Sequence, residues 1–131
     1  MRSKRAENNV SMSLEDAMDY VSGLLTDEQI RKTNWTQAVR NLRAAMKSSL
    51  TKKSRDAWLG RKIVWHERER ANFPQLGQAL DASEAVWTFL SQNLPRGREG
   101  SPLDKAVFDV EQASGEIIGM AMSKLVKPRP R

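Results

Sequence analysis

The chain has one histidine, His66, within Trp65-His66-Glu67-Arg68-Glu69-Arg70, and no cysteine. Nucleophilic catalysis needs a hydroxyl or thiol beside a base that a third group orients, so His66 would have to fill every basic role alone. The charge spacing around it predicts instead an exposed or half-buried position on a helix. Metal chemistry has no better footing. There is no His-x-x-x-His, no cysteine pair and no loop of alternating oxygen ligands, and neither a P-loop nor Gly-x-Gly-x-x-Gly occurs. The acid pairs Glu15/Asp19 and Glu67/Glu69 read as solvated or dipole-complementary helix residues. The expectation is a non-enzyme with no metal, cofactor or small-molecule substrate.

Binding to a polyanion has a stronger basis. Arg40, Arg43, Lys47, Lys52, Lys53, Arg55, Arg61 and Lys62 fall within 26 residues, 40 to 65, that contain a single acid, Asp56. The net charge of +6 hides this segregation. Residues 1 to 7 contribute +2 and residues 124 to 131 contribute +4, so residues 8 to 123 are neutral overall while the 40 to 65 stretch is +7. Nucleic acid is bound chiefly by clustered Lys and Arg that neutralise phosphates and release counterions, so a local cluster matters more than the total. Arg96 and Arg98 in the loop, with Lys127, Arg129 and Arg131 in the tail, add basic elements that can reach further phosphates. Trp58, between Arg55 and Arg61, would add a stacking platform if its ring were exposed. A charge run is also what a solvated face looks like, and tryptophans commonly fill cores. A helix-turn-helix over Thr26 to Leu42 is weakly signalled, because its turn lacks glycine and the spacing is loose.

A second candidate surface lies near the end of the chain. Gly115 and Gly119 are four residues apart in a helical pattern and share a side with Phe108 and Met122. Glycine costs about 1 kcal/mol inside a helix, which calls for a packing reason such as the close approach of another helix. Packing within the domain is the plainer explanation. A homodimer or a docked protein partner is the sharper one, and together with the acidic first helix it makes a protein-interaction module, an adaptor or inhibitor, the competing function.

The elements that would position these residues are helical. Leu14, Ala17, Met18, Val21, Leu24 and Leu25 predict a first helix over about 14 to 25, capped by Ser13. Thr26 to Gln29 starts a short second one. Asn34 with Gln37 offers a cap for a third over 35 to 50, along which Arg40, Arg43 and Lys47 form a row flanking the apolar stripe. A helix from 55 to 70 is favoured next, with Ser54 as its cap and a short strand at 62 to 66 as the alternative. Pro74 to Leu80 predicts a turn of helix, Asp81 to Glu84 a new cap, and Ser101-Pro102-Leu103-Asp104 the start of the last helix, which keeps one apolar face through Leu125.

The expected fold is therefore all-α, a compact bundle of about five helices. Residues 13 to 125 form one domain between flexible basic tails at 1 to 12 and 126 to 131. The hydrophobic fraction of 39% and four tryptophans suit a chain that folds without a staple. The absence of cysteine suits a reducing, cytoplasmic setting. No apolar stretch resembles a secretory signal or a membrane span, so no membrane partner is expected, and the sequons at Asn9 and Asn34 read as chance matches. The function these features favour is a small accessory subunit that binds DNA or RNA by its phosphates.

Overall fold

In a computed structural model, residues 7 to 93 and 98 to 125 are described. They form six helices and two strands: β1 (Glu7–Ser13), α1 (Leu14–Leu24), α2 (Asp27–Thr33), α3 (Trp35–Ser49), α4 (Lys52–Leu59), β2 (Lys62–Arg68), α5 (Pro74–Asn93) and α6 (Pro102–Leu125). The fold is mostly helical but not purely so. The helix count is six rather than about five, and residues 7 to 12, inside the expected N-terminal tail, belong to β1.

Helix α6 packs on α3 and α5, and α5 in turn packs on α1. The core between them holds Leu14, Met18, Trp35, Leu42, Met46, Val86, Leu90, Val107 and Ile117, all fully buried. Trp35 is the largest, and its indole N–H donates to the Met18 carbonyl at 3.1 Å, which satisfies the one polar atom its burial would strand.

The caps follow the sequence closely at three helices. Ser13 accepts from the Asp16 N–H, Thr26 and Gln29 form a reciprocal capping box, and Ser101 accepts from the Asp104 N–H. Two caps differ. Asn34 adopts a left-handed conformation (φ 59°) that closes α2 and opens α3 at once, makes no side-chain cap bond, and leaves Gln37 to pair with Asn41. Thr51, not Ser54, caps α4, by accepting from the Ser54 N–H at 3.1 Å.

The expected helix over 55 to 70 is replaced by α4 and β2. Gly60 ends α4, and β2 runs antiparallel to β1 with Val10 opposite Trp65 and Met12 opposite Ile63. Along β2 burial alternates strictly: Ile63, Trp65 and Glu67 point inward while Lys62, Val64, His66 and Arg68 are exposed. The reading of His66 as a helical residue is corrected with it; the side chain is exposed, on a strand.

The expected break at Asp81 to Glu84 is also absent, because α5 is continuous for 20 residues. Asp81 binds outward instead. Its carboxylate accepts from the Arg68 N–H at 3.0 Å and from Arg70 at 2.9 Å, fastening the end of β2 to α5. No helix among the described residues is long and apolar enough to cross a membrane.

Candidate nucleic-acid interface

Three elements carry the basic stretch, and they treat its members differently. On α3 the row is interrupted at its centre. Arg40 and Lys47 are exposed and make no ion pair among the described residues, whereas Arg43 is half-buried, 2.9 Å from Asp19 and 3.8 Å from Glu15 on α1. Of the three, Arg43 is the one whose charge is already met by two carboxylates. The acidic helix and the basic one meet at this residue.

On α4, Lys52 reaches forward one turn to Asp56 at 2.8 Å, a pair fully open to solvent. Hydrogen bonding to Lys52 holds the Asp56 carboxyl below its usual range, against desolvation and with further help from the positive charges of Lys52 and Arg55. The one acid of the stretch is thus consumed by one of its cations. Lys53 is exposed and Arg55 half-exposed, and neither forms an ion pair among the described residues.

The turn from α4 into β2 brings the remaining members together. Trp58 is half-buried, with its ring at 61° to Phe89 and 6.0 Å between centroids. The Arg61 guanidinium lies 5.1 Å from the Trp58 centroid and 5.9 Å from that of Phe89. Trp58 is therefore not the open stacking platform considered from sequence, because Arg61 covers it and the core rim holds it. Its part is to support a cation. Arg61 and the adjacent Lys62 are exposed and free of carboxylates among the described residues.

Arg98 is exposed in the loop before α6. Arg96, Lys127, Arg129 and Arg131 lie outside the described residues.

The second candidate surface is on α6. Phe108 and Met122 are 51% and 48% exposed, and Gly115 and Gly119 between them are exposed as well. A Cβ added at either glycine would meet nothing within 4 Å. Among the described residues no neighbouring helix approaches them, which leaves packing inside the domain, the plainer explanation from sequence, without a contact to support it.

No protein-family model, curated protein or solved structure matches this chain. Among the described residues there is no cluster of three or more acids, histidines or cysteines that could hold a metal ion.

Glu67, Arg70 and Asp81 take roles the sequence reading did not give them, and the expectation of Glu67 as a solvated helix residue is corrected. Glu67 is buried on β2 and accepts a hydrogen bond from Tyr20 of α1, while Arg70 and Asp81 form a half-buried ion pair at the β2–α5 junction. Only the odd-numbered alternation of Ile63 and Trp65, continued to Glu67, could have placed the first of these inward.

Proposed function

We propose that this chain is a non-enzymatic nucleic-acid-binding protein, working as an accessory subunit that grips the phosphate backbone at the α4–β2 corner. The supporting observation is the set Lys53, Arg55, Arg61 and Lys62, four cations grouped within ten residues of chain with no carboxylate in ion-pair contact among the described residues. A cation without an intramolecular partner has no ion pair to give up when a phosphate approaches. Arg61 is also held in place by Trp58 and Phe89, so less rotamer freedom is lost on binding. Arg40 and Lys47 extend the track along α3, and Arg98 is a further contact.

Such a surface reads charge spacing rather than bases. Binding should be steep in salt and tolerant of sequence, with association accelerated by the local positive field. The test is fluorescence anisotropy with labelled single- and double-stranded DNA and RNA, competed by unrelated oligonucleotides. The double variant Arg61→Glu/Lys62→Glu should abolish saturable binding while retaining the wild-type unfolding midpoint. Undiminished binding in that variant would move the site elsewhere.

A second reading, a protein-interaction module that is homodimeric in the simplest case, rests on the exposed Phe108, Gly115, Gly119 and Met122 side of α6. Sedimentation equilibrium over a wide concentration range distinguishes it, since a homodimer through that side would dissociate on Phe108→Glu.

A further inference from the structure

The phosphate grip opens onto a groove. Lys62 and Phe89 belong to both: Lys62 is one of the four grouped cations, and the Phe89 ring lies 5.9 Å from the Arg61 guanidinium. From there the groove, about 440 Å³ in volume, runs along β2 with α5 as its other side. Helix α5 passes β2 antiparallel, from Asp81 bonded to the Arg68 N–H to Phe89 beside Arg61.

The lining has apolar and polar parts. Val64, 67% exposed, and the half-buried Ala85 offer apolar surface to a flat ring, and Phe89 adds to it at the grip end. Glu84 and Thr88, one turn apart on the exposed side of α5, offer a carboxylate and a hydroxyl. No ion pair links Glu84 to another described residue. Asp81, at the far end, is occupied, since its carboxylate accepts from Arg70 at 2.9 Å and from the Arg68 N–H at 3.0 Å. Glu84 is therefore the carboxylate left to a ligand.

These dimensions and groups suit one nucleotide. The strand advances about 7 Å from Lys62 to Val64, and α5 about 7.5 Å from Phe89 back to Glu84, comparable to the reach from a nucleotide's phosphate to the outer edge of its base. A planar base lying between side chains needs no parting of the β2 and α5 backbones. Its faces suit Val64 and Ala85, and its edge is polar. The Glu84 carboxylate accepts hydrogen bonds and cannot donate them. It therefore pairs with exocyclic amino groups, such as N4 of cytosine, and sets lone pair against lone pair at O4 of thymine or uracil. It also repels phosphate, which keeps the phosphate at Lys62 and orients the nucleotide. In a duplex these edges are paired and stacked, so only an unpaired base can enter.

We propose that the β2–α5 groove takes one unpaired base of a single-stranded nucleic acid whose phosphate is held at Lys62, and that Glu84 selects bases carrying an exocyclic amino group. This rests on the phosphate grip and adds to its sequence-tolerant contacts a single selective one.

Fluorescence anisotropy of the full chain at low salt and neutral pH separates the two claims. The probes are labelled homopolymers of deoxycytidine and of thymidine, and an abasic sugar–phosphate oligomer of the same length. The deoxycytidine oligomer should bind about tenfold more tightly than either of the others, the discrimination expected of one base contact. All three should share one dependence on salt, since the phosphate contacts are common to them. Glu84→Gln should bring the deoxycytidine-to-thymidine ratio close to one, because an amide can also donate to O4, even as the lost negative charge raises affinity for both. Val64→Ser, at an exposed position, should weaken deoxycytidine binding severalfold and leave abasic binding unchanged. Arg61→Glu/Lys62→Glu should abolish binding of all three. Equal affinity for the three oligomers, abolished by that double variant, would overturn the groove assignment and leave the grip standing. A deoxycytidine preference that Glu84→Gln leaves intact would overturn it as well. No saturable binding of any oligomer by the wild type would overturn the grip and the groove together.

Discussion

The Tyr20 hydroxyl donates to Glu67 Oε2 across 2.5 Å, joining α1 to β2 at a carboxyl group that is only 5% exposed. The Tyr20 and Trp65 rings lie beside it, 6.1 Å between centroids. An acid facing inward from a two-stranded sheet is tolerated because this one donor meets it. Tyr20→Phe should therefore destabilise the chain by about 1 to 3 kcal/mol in urea unfolding, the cost of stranding a buried polar group. A change below about 0.5 kcal/mol would mean that Glu67 finds water instead.

The same contact predicts an alkaline limit. Burial, then the hydrogen bond to Glu67, then the charge on Glu67 all push the Tyr20 hydroxyl above its ordinary value of about 10. Between the ordinary and the raised value the unfolded chain has lost this proton and the folded chain has kept it, so stability falls as pH rises. The contribution is complete below pH about 10 and declines above it. The stability gap between wild type and Tyr20→Phe should be constant from neutral pH to about 10 and then narrow.

Arg70 should show coupling at the β2–α5 junction. Its guanidinium spans Asp81 Oδ2 at 2.9 Å and the Gly77 carbonyl at 3.1 Å, lying directly over Gly77. A Cβ at residue 77 would stand 2.6 Å from Arg70 Cδ. Gly77→Ala should cost about 1 to 3 kcal/mol by displacing that side chain. In an Asp81→Asn background, where the clamp is already loosened, the cost should shrink by at least about 0.5 kcal/mol, measured as a double-mutant cycle. Additive effects would mean that Gly77 is constrained by something other than the ion pair.

On α6 the sign is reversed. Since a Cβ at Gly115 or Gly119 meets nothing, alanine at either position should stabilise the isolated chain by roughly 0.5 to 1 kcal/mol through helix propensity. Thermal unfolding at several protein concentrations would check this. Destabilisation that grows with concentration would show that the two glycines serve an interface between copies.

Much of the helical framework is legible from periodicity and caps, because Ser13, Thr26 and Ser101 precede apolar stripes that continue without interruption. The strands are harder to read. In β2 the outward Val64 and the inward Glu67 both break the hydrophobic alternation, and the partner that makes Glu67 tolerable is Tyr20, 47 residues away. In β1, Asn9, Ser11 and Ser13 leave only Val10 and Met12 as inward signals, too few to outweigh a polar composition. The break expected at Asp81 fails for a related reason, since the same side chain that caps a helix can bind a strand end and a guanidinium. Within the candidate interface, charge clustering is visible in the chain, but which cations are already paired depends on α1 lying beside α3. No spacing rule could separate Arg43 from Arg40 and Lys47.

That separation gives the most direct measurement of the central claim. The logarithm of the nucleic-acid association constant should fall linearly with the logarithm of salt concentration. Lys53→Gln and Lys62→Gln should each reduce the steepness by about 0.7 to 0.9, one released counterion per lost phosphate contact. Arg43→Gln, which removes a cation already bound to Glu15 and Asp19, should leave the slope unchanged. Absence of saturable binding at low salt, or a slope that responds to Arg43 and not to Lys53 and Lys62, would contradict the assignment of the α4–β2 corner as the phosphate grip.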